Sequence, residues 1–232
     1  MFKTSITGLD GLFKEGDIPR GSVILVTGIE GALKSTFIFK MISNYIAATG
    51  EHGLYASLEE TRESHLRNMD SFGFKKPEKL HIFDYKDMRS DTMNEELDIV
   101  KVTEDMIDFY MEKFDNLTVF ALDSLNAFSS ISTVVNPRQY MYHFFSRLRD
   151  KNLTSFLIME TSSSDRHVFI SSADEHAEYF LADGIIELGV IEARENVKRY
   201  IQIKKMRTAS HSMEKHQVMA GKDGISILGS VY

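Results

Sequence analysis

The segment Gly28-Ile-Glu-Gly-Ala-Leu-Lys-Ser-Thr36 combines small residues, one cation and two hydroxyls directly after an apolar run. Such a combination suits a phosphate-rich anion. Glycines let backbone N–H groups turn inward onto anionic oxygens, and the N-terminus of a following helix adds its positive dipole. Lys34 would reach the β- and γ-phosphates, and Ser35 would place its hydroxyl on Mg²⁺. Gly28, Glu30, Gly31, Ala32, Leu33, Lys34, Ser35 and Thr36 are therefore the candidate contacts. The usual pattern has glycine just before the lysine, where this chain has Leu33. A residue there still donates its N–H if its backbone is helical, but its isobutyl group can crowd a nucleotide. A strand-to-helix turn carrying a surface lysine is the alternative.

Further candidates follow in order. Glu59 and Glu60 end the run Leu54–Leu58, and a carboxylate there can orient or deprotonate an attacking water. They also suit the acidic first turn of the next helix. Asp123 closes Thr118–Leu122, which is the strand-end arrangement of a carboxylate holding Mg²⁺, partly through water. It equally suits a helix cap. Glu160 ends Ser155–Met159 and reads as a γ-phosphate sensor or a structural acid. Lys205 and Arg207, two apart on an alternating run, project to one face and could meet a phosphate or simply be solvated. The eight histidines show no metal-ligand spacing.

These residues need elements to position them. Ser22–Val26, Leu54–Leu58, Leu80–Phe83, Thr118–Leu122, Ser155–Met159 and Gly184–Leu188 are near-continuous apolar runs, as in parallel strands covered on both faces. Helical spacing covers Lys34–Ala48, Leu97–Phe114 and Pro137–Arg149; Asn136, Pro137 and Gln139 mark the start of the last. Ser172–Leu181 opens with a Ser-x-x-Glu signal. Arg199–Lys204 alternates, and Gln217–Ala220 and Ile225–Leu228 flank a Gly-Lys-Asp-Gly turn. The expected fold is α/β: a doubly wound, mostly parallel central sheet with helices on both faces and antiparallel strands at the C-terminal edge.

The 232 residues suffice for one full core, and no linker or repeat divides them, so one domain over 1–232 is expected. Apolar residues at 43% against 26% charged exclude a disordered chain. With no cysteine, disulfide scaffolds and thiolate metal sites are excluded. No apolar run reaches the length of a membrane span and the N-terminus lacks a signal peptide, so a cytoplasmic location is expected. A net charge of −7 disfavours sequence-independent nucleic-acid binding.

Taken together, the motifs resemble the KaiC-like branch of the RecA-type P-loop ATPases. The resemblance rests on Thr7-Gly-Leu-Asp10, Ile18-Pro-Arg-Gly-Ser22, the phosphate loop, Glu59–Glu60, Asp123, Ala182-Asp-Gly-Ile185 and Lys205-x-Arg207 with nearby His211, in family order along nearly the whole chain. It implies ATP and Mg²⁺ as ligands and a homo-oligomer, often a hexameric ring, with nucleotide between subunits. It further implies Glu59 and Glu60 as catalytic carboxylates and Asp123 as the Walker B acid. Lys205 and Arg207 would reach a neighbour's nucleotide, and Arg199 would flank its base.

The expected activity is slow ATP hydrolysis controlling assembly or signalling, with turnover limited by Leu33. The alternatives are a nucleotide-binding regulator without significant hydrolysis, like the archaellum's accessory subunit, and a recombinase-like DNA-associated ATPase. Against the last, Phe128–Asn136 carries no cation, and Thr161–Ser172 has only Arg166 and His167.

Overall fold

The apolar runs become neighbours in one sheet. A computed structural model of the chain describes residues 1–85, 98–131, 136–161, 177–193, 196–221 and 224–231. Its strands are β1 (Phe13–Glu15), β2 (Val23–Gly28), β3 (His52–Ser57), β4 (Leu80–Asp84), β5 (Leu117–Asp123), β6 (Thr154–Glu160), β7 (Gly184–Ala193), β8 (Asn196–Met206), β9 (Ser210–His211), β10 (His216–Gly221) and β11 (Gly224–Ser230). The helices are α1 (Lys34–Thr49), α2 (Arg62–Ser71), α3 (Ile99–Lys113), α4 (Leu125–Ile131), α5 (Pro137–Asp150) and α6 (Ala177–Leu181).

The main sheet has 9 strands in the order β11-β10-β8-β7-β2-β6-β5-β3-β4. From β7 to β4 the pairings are parallel; β8, β10 and β11 extend the other edge antiparallel. This is the expected doubly wound sheet with its antiparallel C-terminal edge. Each expected strand overlaps one of these; Ser22 and Leu58 fall just outside β2 and β3, and β7 runs on past Leu188 to Ala193. The short pairing of β1 with β9, which joins Phe13 to His211, has no local sequence signal.

Both faces of the sheet are covered, which is why β2 reads as unbroken apolar character. Ile24 and Val26 face the cluster holding Phe37, Phe39, Ile42 and Ile46 of α1. Val23 and Leu25 face the cluster holding Ile107 of α3 and Met141, Phe144 and Leu148 of α5. The Asn136 side chain accepts from the Gln139 N–H, as its position before Pro137 predicts. Asp98 caps α3 by accepting from the Val100 and Lys101 N–H groups. The Ser172–Glu175 signal, the Lys222–Asp223 turn residues and most of the Thr161–Ser172 stretch lie outside the described residues. Among the described residues, no helix is long and apolar enough to cross a membrane.

Candidate nucleotide site

Parallel register brings the candidates to one edge. Gly28 pairs with Glu160 across β2 and β6, and Asp123 with Ser57 across β5 and β3. The last residues of these strands therefore stand side by side at their carboxyl ends, where ligands of open α/β sheets bind. α1 starts there with Lys34 as its first residue.

The loop is built by its glycines and by one exception. Gly28 adopts φ 148°, and a Cβ there would stand 1.8 Å from the Leu188 carbonyl oxygen of β7. Gly31 is left-handed at φ 74°. Leu33 is left-handed too, at φ 69° and ψ 29°. The helical backbone under which Leu33 would donate its N–H is therefore not adopted. Glycine is usual at this position because the loop must turn through a region that costs a residue with a Cβ about 1–2 kcal/mol.

Lys34 is not a surface lysine: it is only 5% exposed. Its Nζ donates to the Ile29 carbonyl at 2.9 Å and to Glu160 Oε1 at 3.2 Å. Asn126 of α4 grips the Glu160 backbone twice, accepting from its N–H at 2.7 Å and donating to its carbonyl at 3.1 Å. Glu160 is therefore held beside the phosphate-loop lysine.

Asp123 is buried, and the Tyr55 hydroxyl donates to its Oδ2 at 2.7 Å. Burial pushes the Asp123 carboxyl above its ordinary range, and the Ser35 and Tyr55 hydroxyls pull it partly back. Burial, with the Asp123 charge behind it, pushes the Tyr55 phenol well above its usual value, so it remains a donor. Ser35 and Asp123 thus converge below Lys34. A hydroxyl and a carboxylate of this kind form the oxygen-rich set a hard divalent cation takes. The residues present fit Mg²⁺ and a nucleoside triphosphate.

The two glutamates diverge. Glu59 Oε1 accepts from the buried Ser124 hydroxyl, next to Asp123. Glu60 turns to α2, where Asn68 Nδ2 donates to both its oxygens at 3.1 and 2.9 Å. Thr61 caps that helix by accepting from the Ser64 N–H.

The C-terminal cations lie elsewhere. Arg207 donates to Asp183 Oδ1 at 2.9 Å; Asp183 also accepts from Arg149 and from the Val23 N–H. Although burial pushes the Asp183 carboxyl up, Arg149, Val23 and Arg207 together hold it below the ordinary range. Lys205 Nζ caps α6 through the Tyr179 and Ala182 carbonyls, and burial lowers its pKa. Val23 opens β2 and Gly28 ends it, so this cluster is about 17 Å along the sheet from the chain's own loop, at about 3.3 Å per residue. Arg199 sits at the other end of β8, where its Nε donates to the Gly31 carbonyl at 3.3 Å.

Sequence reasoning overlooked Tyr55 and Asn126. Tyr55 lies inside the apolar run Leu54–Leu58, where its hydroxyl is the only signal. Asn126 had none, because its partner is distant in sequence.

The sequence profile described as "ATPase: KaiC" matches residues 2–232. The chain belongs to the KaiC family of ATPases. That family is a branch of the RecA-type ATPases. It is 31% identical to a UPF0273 protein of Aeropyrum pernix, over 97% of this chain and 92% of that protein. It is 27% identical to the circadian clock oscillator protein KaiC of Parathermosynechococcus lividus, over 95% of this chain. There it spans only 41% of the relative, less than half of the clock protein's length. A KaiC-like protein of Pyrococcus horikoshii has a solved structure that superposes with a TM-score of 0.76 at 26% identity, covering 97% of this chain and 96% of that one.

Proposed function

We propose that residues 1–232 act as one ATPase domain that binds ATP with Mg²⁺ on Gly28–Thr36 and hydrolyses it slowly, inside a homo-oligomeric ring, in the cytoplasm. The observation that carries the reading is the convergence of Lys34, Ser35 and Asp123 at the N-terminus of α1. Lys34 would leave Glu160 and the Ile29 carbonyl for the phosphates. Ser35 and Asp123 would hold Mg²⁺, which supplies charge neutralisation at the phosphates. Glu59, fixed by Ser124, would orient the attacking water, with Glu60 as the second carboxylate.

Distance supports the ring. Arg207 faces away from its own phosphate loop, yet half of its side chain is exposed, so a nucleotide it meets belongs to another copy. In this reading Lys205 braces α6 beneath it, and Arg199 lies at the loop edge, where it would flank a nucleotide. The state of the nucleotide then controls assembly or signalling.

A test mixes Arg207→Ala protein with Glu59→Gln/Glu60→Gln protein. Each is expected to be nearly inactive, since a trans cation contributes about 10³–10⁵ in rate. Mixed rings regain activity because some interfaces hold both intact parts. No rescue in demonstrably mixed oligomers overturns the shared site. Losing Arg207 leaves the fold intact, because an exposed ion pair contributes only about 0–1 kcal/mol.

One observation favours a second reading, a nucleotide-binding regulator with negligible hydrolysis. The left-handed Leu33 puts a side chain in the phosphate loop where the common pattern has none. Phosphate release and nucleotide binding measured on one preparation separate the two readings.

A further inference from the structure

We propose that Tyr55 is a positioning residue for the metal-side carboxylate: its phenol fixes Asp123 in one orientation and leaves the remaining acceptor capacity to Ser35 and Mg²⁺. The inference rests on the reading of Asp123 as the acid that holds the cation.

The geometry comes from the parallel register of β3 and β5. Ser57 pairs with Asp123 and Tyr55 with Ala121, so paired side chains share a face. Residues i and i+2 of a strand also share a face, which places Tyr55 one step below Asp123 on the α1 side. A small side chain at position 55 could not span that step. The phenol does, and its hydroxyl meets Oδ2 at 2.7 Å.

The ring cannot swing away. It is fully buried, tilted against His65 with centroids 4.6 Å apart, and edge-on to Phe39 at 6.0 Å. A phenylalanine would fill nearly the same volume, so packing alone does not call for the hydroxyl. Burying a hydroxyl without a partner is costly, and so is burying a carboxylate without donors. Each group here satisfies the other. An ionised carboxylate has about four acceptor positions, so one phenol donor leaves room for the Ser35 hydroxyl and a cation. Without the phenol, Asp123 loses one of the two hydroxyls that hold it, and a Mg²⁺ contact must complete its ordering.

The test uses the full chain carrying Tyr55→Phe. Binding of a fluorescent ATP analogue is titrated with Mg²⁺ and, separately, in excess EDTA. Affinity in EDTA should be little changed, because Lys34 and the loop are untouched. The gain in affinity that Mg²⁺ confers should fall about tenfold or more, the scale of a lost hydrogen bond to a charged group. An unchanged Mg²⁺ gain overturns the inference. So does a loss of affinity that is equal in EDTA and in Mg²⁺, since that marks Tyr55 as core packing only. Asp123→Asn serves as the reference. If it abolishes the Mg²⁺ gain while Tyr55→Phe keeps it, the inference about Tyr55 fails alone. If Asp123→Asn retains the full gain, the reading of Asp123 fails and the inference falls with it.

Discussion

Replacing Leu33 by glycine and by alanine separates backbone strain from side-chain packing. At φ 69° any residue with a Cβ is strained by about 1–2 kcal/mol, and glycine is not. Glycine gives back about 0.5–1 kcal/mol through its larger unfolded-state entropy. The half-buried isobutyl group loses at most about 1 kcal/mol when removed. Leu33→Gly should therefore be close to wild type in stability. Leu33→Ala loses the isobutyl group and keeps the strain, so it should be less stable than Leu33→Gly by about 1 kcal/mol. In a right-handed helix the order is reversed, with alanine ahead of glycine by about 1 kcal/mol. The swing between the two backbone states is thus about 2 kcal/mol, or about 4–8 °C in Tm for a chain of this size. Urea unfolding and thermal melts of the three proteins, without nucleotide, make the comparison. Alanine more stable than glycine by the helical margin would refute the left-handed conformation and the strain argument with it.

Two further outcomes are expected. Lys34→Ala should lose nucleotide binding, measured by calorimetry, while staying folded at a modestly lower melting temperature, since half-exposed Glu160 is left with water and the Ile29 carbonyl loses one buried donor. His81, hydrogen-bonded to His52 at 2.9 Å, is pushed down to about 4 mainly by burial, with His52 and nearby lysines adding to the shift. The unfolded chain takes up that proton first as the pH falls from about 6.5, so stability should drop between about pH 6.5 and 4. His81→Phe should flatten this acid limb in melts at stepped pH; an unchanged limb refutes it.

The alternation of apolar strands with periodic helices was enough to read the parallel sheet, because two-sided burial leaves its mark on every residue of a strand such as Val23–Gly28. The phosphate loop was legible for the same local reason: glycine and lysine spacing is dictated by backbone conformation over a few residues. Asn136 and Pro137 marked a helix start correctly, since capping needs only neighbours in sequence. What the sequence by itself determined was therefore the order of the elements, the loop and the acids Glu59, Glu60, Asp123 and Glu160 at or just past three strand ends. Only the tertiary structure decided how those acids are used. Register set Tyr55 one step below Asp123, Ser124 turned Glu59 toward the site, and Asn68 drew Glu60 away. Antiparallel β8 carried Lys205 and Arg207 to the end of the sheet away from the loop. These placements depend on pairings between residues far apart in the chain, whose partners leave no imprint on local composition or spacing. The backbone at Leu33 belongs with them: a side chain that disfavours φ 69° is held there by the strand and helix on either side.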